Sequence, residues 1–167
     1  NISSRSLTNQ TMPLISRDDY EQWTKGIPDG HCPICHVKEQ ILLGESKYFV
    51  WIANISPYWK YHTMIVPKRH IDYFSKLTRL ELIDFQSFLK RITKHLLSLG
   101  LTYDDGSPLT QFLTMFRESA DKNKDGYYKM DHLHIHLVPE QRGVDRFKLD
   151  PSAVETNILK LKLDETK

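Results

Sequence analysis

Residues 132–138 read His-Leu-His-Ile-His-Leu-Val, and this heptapeptide carries more structural information than any other part of the chain. Histidines alternate with aliphatic residues, and alternation with a period of two predicts a β-strand with one polar and one apolar face. The aliphatic side chains then point into the core, and the imidazoles project together from the opposite face. Neutral imidazoles grouped in this way can act as nucleophiles, hydrogen-bond donors and metal ligands. The histidines concerned are His132, His134 and His136.

The composition is that of a single globular domain. The chain has 167 residues, of which 40% are hydrophobic and 26% are charged, and such values are typical of folded proteins. The formal net charge of +2 gives no case for binding to a nucleic-acid backbone or to a membrane surface. No apolar run is long enough to cross a bilayer and no targeting segment is visible. We therefore expect a cytoplasmic protein, with the nucleus as the alternative compartment.

Hydrophobic patterning predicts an α+β fold with an antiparallel sheet. A short helix is expected at 17–25 and a long one at 79–99, where Thr78 and Glu81 can form a capping box. Asp150 followed by Pro151 predicts the start of a C-terminal helix over 151–163. Runs rich in β-branched and aromatic residues predict strands at 40–43, 47–53, 63–66, 111–117 and 133–138.

The chain has no internal repeat and no linker. Residues 1–15 are polar and predicted to be loosely ordered, and residues 16–167 are predicted to form a single domain. Residues 121–126, Asp-Lys-Asn-Lys-Asp-Gly, match the first half of a calcium-binding loop. The twelfth position of that loop should be an acid but is His132, and the flanking segments resemble strands. These features favour a polar turn without calcium.

Two cysteines, Cys32 and Cys35, form the only C-x-x-C pair. Such a pair is a metal clip, a redox pair or a coincidence, and a redox role calls for a thioredoxin-like context that this chain lacks. Two thiolates at this spacing can occupy two corners of a tetrahedral zinc site. Because no second C-x-x-C exists, the other two ligands must be histidines. The adjacent His31 and His36 are competing candidates, although their closeness in sequence makes the geometry strained.

Together these segments resemble the histidine triad (HIT) superfamily, in its zinc-containing C-x-x-C type. The heptapeptide is similar to the family signature, in which three histidines alternate with apolar residues. Three further segments match in order and spacing, and the resemblance is strongest over residues 30–150. These segments are Cys-Pro-Ile-Cys at 32–35, Asn54 with His62 eight residues later, and Ile-Val-Pro-Lys-Arg-His-Ile at 65–71.

The resemblance implies an α+β domain with about five antiparallel strands, one long and one short helix, and an option to form a homodimer. It also implies an enzyme that cleaves or transfers a nucleoside monophosphate through a covalent nucleotidyl-histidine. His134 would be the nucleophile, and His136 would hydrogen-bond the phosphate or the leaving group together with His62. Asn54 and Arg117 are candidate nucleotide-binding residues, although a turn-forming asparagine and a solvated arginine are equally good interpretations.

By the same resemblance, one zinc ion would be held by two cysteines and two histidines. Four protein ligands leave no open position, so this zinc would be structural and would hold the catalytic strand in place. The residues implied are Cys32, Cys35, His70 and His132.

Two departures from the family pattern bear on the substrate. Relatives usually carry an asparagine or glutamine and a small glycine-rich turn before the triad, whereas this chain has Glu118 and Tyr-Tyr-Lys at 127–129. The third triad position is His136 and not the glutamine of the uridylyltransferase branch, which favours a nucleotide hydrolase or phosphoramidase. The alternative function is a nucleotide-binding or adaptor protein with little catalysis. The expected ligand is a nucleotide or dinucleotide, and nucleic acid is disfavoured by the small net charge.

Overall fold

The computed structural model describes residues 14–28, 31–35, 40–118, 131–140 and 149–164. It contains a five-stranded antiparallel sheet with one long and one short α-helix, as the resemblance implied. The helices are α1 (Arg17–Lys25) and α2 (Arg79–Ser98). The strands are β1 (Leu42–Glu45), β2 (Phe49–Ala53), β3 (Thr63–Pro67), β4 (Phe112–Arg117) and β5 (His134–Pro139).

The sheet has the strand order β1-β2-β3-β5-β4, so the long connection through α2 and β4 brings β5 beside β3. Its two faces are set by the alternation of side chains along each strand. Phe49, Trp51 and Ile65 face α2 and belong to the main core. Val50 and Met64 face the other side, where they pack in a smaller cluster with Cys32. The register pairs Met64 with His136, which assigns this histidine to the face of the smaller cluster.

Helix α2 begins and ends where its sequence predicts. The hydroxyl of Thr78 accepts a hydrogen bond from the Glu81 amide, and the Glu81 carboxylate accepts one from the Thr78 amide, so the capping box is complete. Gly100 follows the helix with a left-handed φ of 62°, a conformation that glycine adopts without steric cost. The buried face of the helix packs against the sheet through Phe85, Phe88, Ile92 and Leu96.

The C-terminal segment differs from the predicted helix over 151–163. It forms two short 3-10 helices, Pro151–Glu155 and Ile158–Leu161, instead of one α-helix. The chain becomes extended at Thr156 (ψ 129°) and Asn157 (ψ 82°), two residue types with weak helix propensity. The predicted cap is present, because the Asp150 carboxylate accepts a hydrogen bond from the Ser152 amide.

Some sequence predictions fall outside the described residues: those for residues 1–13, the 121–126 loop, the 127–129 segment and His36. At the N-terminal edge of the described chain, Leu14 packs against the core and the Ile15 amide donates to the Ile55 carbonyl at 2.7 Å.

In the part of the chain that the structure describes, neither helix combines the length and hydrophobicity that crossing a bilayer requires.

Candidate functional site

The three histidines of the heptapeptide divide between two neighbouring sites. The alternation predicted that all three histidines lie on one strand, but β5 begins at His134, and His132 lies just before it. The ring of His132 turns toward the cysteines, whereas His134 and His136 line an open cavity on the same side of the sheet. The intervening Leu133 and Ile135 are fully buried in the core, as predicted.

The first site is a cluster of two cysteines and two histidines. Its donor atoms all lie within 4.8 Å of one another, and its members are Cys32, Cys35, His70 and His132. The Sγ atom of Cys35 lies 3.2 Å from Nδ1 of His70 and 3.5 Å from Nδ1 of His132. Ligand bonds of about 2.0–2.3 Å in a tetrahedral zinc site give ligand-to-ligand distances of roughly 3.3–3.8 Å. The cluster therefore fits one zinc ion, and His31 does not belong to it.

The second nitrogen of each clustered histidine also has a partner. Nε2 of His132 lies 2.8 Å from the Pro67 carbonyl oxygen and must donate to it, which leaves the Nδ1 lone pair facing the thiols. Nε2 of His70 lies 3.6 Å from a carboxylate oxygen of Asp131. Such outer contacts orient imidazole ligands in metal sites. Burial lowers the pKa of His132 to about 4, which keeps this ring neutral and able to bind metal.

The thiol of Cys35 is held in its protonated form. Partial burial and the neighbouring Cys32 thiol raise the pKa of Cys35 to about 11. Because thiolates are the metal-binding form, a divalent ion at this position would release protons when it binds.

In the second site, the ring of His134 has a defined tautomer. Its Nδ1 lies 2.7 Å from the carbonyl oxygen of His132, and a carbonyl can only accept a hydrogen bond. Nδ1 therefore carries the proton, and Nε2 keeps its lone pair. Burial lowers the pKa of His134, an effect that the His132 carbonyl opposes and the Arg117 charge assists. The ring thus favours its neutral form, with the lone pair on Nε2.

His62 and His136 form a chain of hydrogen bonds behind the cavity. The Tyr58 amide donates to Nδ1 of His62 at 3.1 Å, so the proton of His62 is on Nε2. That nitrogen donates to Nδ1 of His136 at 2.7 Å, which leaves Nε2 of His136 as a hydrogen-bond donor. Burial lowers the pKa of both rings, to about 3 for His62 and about 2 for His136.

The turn between β2 and β3 places His62 and Asn54 together. Tyr61 adopts a left-handed φ of 61° in this turn, and the Asn54 amide donates to the His62 carbonyl at 3.0 Å. The side-chain oxygen of Asn54 accepts from the Ser56 amide at 3.0 Å. Its Nδ2 lies 3.3 Å from Nε2 of His62. Asn54 thus forms the local turn that its sequence context predicts, and it also lines the cavity.

The cavity has a volume of about 910 Å³ including its mouth, and it is lined by His134 and His136 together with both nucleotide-binding candidates, Asn54 and Arg117. Arg117 ends β4 directly opposite His134 in the sheet register, so it contributes a positive charge beside the ring. Glu118 also lines the cavity, but its Oε1 accepts a hydrogen bond from the Phe74 amide at 2.7 Å. This bond holds one oxygen of the carboxylate against the backbone.

Sequence reasoning missed the wall that α1 contributes to the cavity. The predicted helix is present, and its residues Tyr20 and Trp23 line the cavity beside Arg17. Tyr58 also lines it and stacks on His136 with ring centroids 6.3 Å apart. The aromatic residues of 17–25 and the Tyr-Trp pair at 58–59 were the available signals. Nothing in their spacing connects them to a histidine strand more than 70 residues away.

Comparisons with known proteins agree with this architecture. An uncharacterised HIT-like protein of Methanocaldococcus jannaschii is 25% identical over 59% of this chain and 67% of its own length. A galactose-1-phosphate uridylyltransferase of Thermotoga maritima is 26% identical over 70% of this chain but only 36% of its own length. A zinc-bound histidine triad family protein from Mycobacterium smegmatis has a similar fold, with a TM-score of 0.56 and 22% identity. That match covers 78% of this chain and 90% of the other.

The family model described as the HIT domain matches residues 36–143. This range contains both cavity-lining histidines of β5, the His62 turn and two of the four clustered ligands. The match extends over more than half of the chain, and the five-stranded antiparallel sheet and the cysteine–histidine cluster are those that the sequence resemblance implied. The chain therefore belongs to the HIT domain family.

Proposed function

We propose that this protein is a nucleotide hydrolase or nucleotidyltransferase that works through a covalent nucleotidyl-histidine on His134. The observation that carries the proposal is the hydrogen bond from Nδ1 of His134 to the His132 carbonyl. It fixes the proton on the far side of the ring, so the lone pair of Nε2 is available to a ligand in the cavity. A fixed, neutral nucleophile avoids much of the entropic cost of orienting the reacting groups.

In the first step, the Nε2 lone pair of His134 attacks the α-phosphorus and the bond to the leaving group breaks. The leaving group departs with the electron pair of that bond. Positive charge develops on the imidazole, and the His132 carbonyl stabilises it by accepting the Nδ1 proton in a hydrogen bond. In the second step, water or an acceptor hydroxyl attacks phosphorus, the P–N bond breaks and the electron pair returns to Nε2. The attacking group loses its proton to solvent.

The remaining site residues are assigned to binding and positioning. His136 donates a hydrogen bond from Nε2 to the phosphate or leaving group, and His62 keeps it in the required tautomer. Arg117 neutralises charge on the α-phosphate, which is worth most in a partly desolvated cavity. Asn54 holds the turn at the cavity wall and lies within reach of a bound nucleotide.

We also infer that one zinc ion binds between Cys32, Cys35, His70 and His132 and has a structural role. When bound, it would link the segment around Cys32 to the residue that precedes β5. The His132 carbonyl, which orients His134, belongs to this linked segment. Four protein ligands leave no position for a metal-bound water, so the hydrolytic chemistry would rest on the histidines.

The test is to trap the intermediate with a panel of dinucleoside polyphosphates, nucleoside phosphoramidates and nucleotide sugars. Phosphohistidine survives alkali but not acid, so an alkaline quench and intact mass measurement should show a nucleoside monophosphate adduct. The adduct should be present in wild type and in His95→Gln, a matched histidine variant on α2, and absent in His134→Ala. Nucleotide binding without any adduct or turnover would instead support the alternative of a binding or adaptor protein.

A further inference from the structure

Arg17, the first residue of α1, is held between two aromatic rings at the cavity wall. Its guanidinium carbon lies 4.7 Å from the ring centroid of Tyr20 and 4.9 Å from that of Tyr58. Contacts of this kind fix a guanidinium without using its N–H groups, since those lie in the plane of the group. The side chain is therefore ordered in the cavity before any ligand binds.

The hydrogen-bonding capacity of Arg17 is unused within the part of the chain that the structure describes. No carboxylate there forms an ion pair with it, and Glu118, the acidic residue among those that line the cavity, is bonded to the Phe74 amide. A guanidinium presents five N–H donors in a planar arrangement that matches two phosphate oxygens. A positioned guanidinium whose donors have no partner among the described residues is a candidate site for an anion.

Arg17 and Arg117 reach different parts of the same cavity. Arg117 ends β4 opposite His134 and acts electrostatically on both His134 and His136. Arg17 comes from α1 and acts on His62, behind the Tyr58 ring. Arg117 is thus placed for the phosphate that His134 attacks. Arg17 is available to a second anionic group beside Tyr58, whose ring stacks on His136.

The state of His136 also favours a leaving group that departs as an anion. His136 is neutral, with its Nδ1 bonded to His62, so it offers a hydrogen bond from Nε2 but holds no excess proton to give away. An amine leaving from a phosphoramidate must gain a proton, whereas a phosphate leaving from an anhydride departs with the electron pair of the broken P–O bond. A nearby guanidinium would stabilise that departing charge.

We propose that Arg17 is a specificity-determining residue that binds a phosphate of the leaving group, so that the preferred substrate is a phosphoanhydride and not a phosphoramidate. This inference rests on the proposed function for its chemistry. It adds α1, which lies before the part of the chain matched by the family model, to the substrate-binding surface. The substrate class is a nucleoside monophosphate joined through an anhydride to a second phosphate-bearing group.

The experiment compares two substrates that deliver the same nucleotide to His134. Diadenosine triphosphate releases ADP, and adenosine 5′-phosphoramidate releases ammonia. In Arg17→Gln, kcat/KM for the triphosphate should fall about 10- to 100-fold, and that for the phosphoramidate should change by less than about twofold. The control is Arg79→Gln, which changes the first residue of α2 on the exposed surface and should affect neither substrate.

Equal losses on both substrates, or no loss on the triphosphate, would overturn the role of Arg17. A binding measurement separates this inference from the proposed function. Wild type should bind ADP more tightly than AMP, and Arg17→Gln should remove most of that difference. If wild type turns over neither substrate, the proposed catalysis is wrong. The ratio of ADP to AMP affinity then decides by itself whether Arg17 binds the second phosphate. An unchanged ratio in the variant would refute the inference.

Discussion

His62 and His136 are 74 positions apart in sequence, yet Nε2 of one lies 2.7 Å from Nδ1 of the other in a buried contact. The Tyr58 amide determines the direction of this hydrogen bond, because it donates to the other nitrogen of His62. The proton of His136 is therefore directed to Nε2. A backbone amide in a turn thus controls the hydrogen-bonding character of a side chain in the cavity.

The first prediction concerns this contact. Replacing His62 with Leu removes the donor to Nδ1 of His136, so His136 is no longer held as the Nε2–H tautomer. We expect kcat to fall about 10- to 100-fold with little change in KM, while His62→Gln, which keeps an N–H donor, should recover part of the loss. Steady-state kinetics and the nitrogen NMR shifts of His136 would measure both effects. Full activity in His62→Leu would contradict this positioning role.

The second prediction concerns the pH dependence of stability. Burial, with the charge of Arg17, lowers the pKa of His62 to about 3 from an ordinary value of 6.5. As the pH falls, the unfolded chain therefore takes up this proton first, and stability present above pH 6.5 is lost toward pH 3. Between pH 7.5 and pH 5, His62 alone should reduce the free energy of unfolding by about 2 kcal/mol.

Urea denaturation of wild type and His62→Gln at several pH values measures this contribution as the difference between the two curves. Both proteins keep the cysteine–histidine cluster, so effects that arise there cancel in the comparison. The variant should show the weaker dependence on pH. Parallel curves from pH 7.5 to pH 5 would show that His62 is not the group responsible.

The third prediction concerns metal content. Purified protein should contain one zinc ion per chain, and the double variant Cys32→Ser with His70→Ala should contain none. Because the ion would link distant parts of the chain, its removal by a chelator should lower the melting temperature of wild type. Elemental analysis and thermal unfolding provide the readouts, with His95→Gln as a histidine control that keeps its metal. Zinc retained by the double variant would rule out this ligand set.

The fourth prediction concerns the start of α2. The Glu81 carboxylate caps the Thr78 amide and also forms a bidentate pair with Arg69, with N–O distances of 2.9 and 2.8 Å. The hydrogen bonds from Arg69 are the main reason that the pKa of Glu81 falls to about 2. We expect Glu81→Gln to lower the free energy of unfolding by about 1–2 kcal/mol.

A double-mutant cycle with Arg69→Gln separates the pair from the cap. Because Arg69 is half-exposed, the coupling energy should be no more than about 1 kcal/mol. The matched control is the exposed pair of Lys68 and Glu45, where coupling should be within about 0.5 kcal/mol of zero. Equal coupling energies in the two pairs would mean that the burial of Glu81 does not strengthen its interaction with Arg69.

Local sequence patterns were sufficient for most of the secondary structure and for the family. The capping box of α2, the short helix α1 and the β5 strand follow from side-chain spacing alone, because each depends on contacts within a few residues. The C-terminal segment is where this reasoning was wrong. A cap at Asp150 starts a helix, but the buried positions of Ile158 and Leu161 in the core are set by tertiary packing, which local propensity does not report.

The amino-acid sequence by itself determined which side-chain types the two sites use. Histidines that alternate with aliphatic residues and a C-x-x-C pair indicate nucleophilic and metal-binding chemistry without any knowledge of the fold. The resemblance to the HIT superfamily also implied how the three histidines are shared between the cysteine cluster and the cavity. Only the tertiary structure decided which nitrogen of each ring carries the proton and that Arg17 joins the cavity wall. The physical reason is that these properties depend on contacts made in the folded chain. The Pro67 carbonyl sets the tautomer of His132, and the Tyr58 amide sets that of His62. Two aromatic rings hold the guanidinium of Arg17 in place.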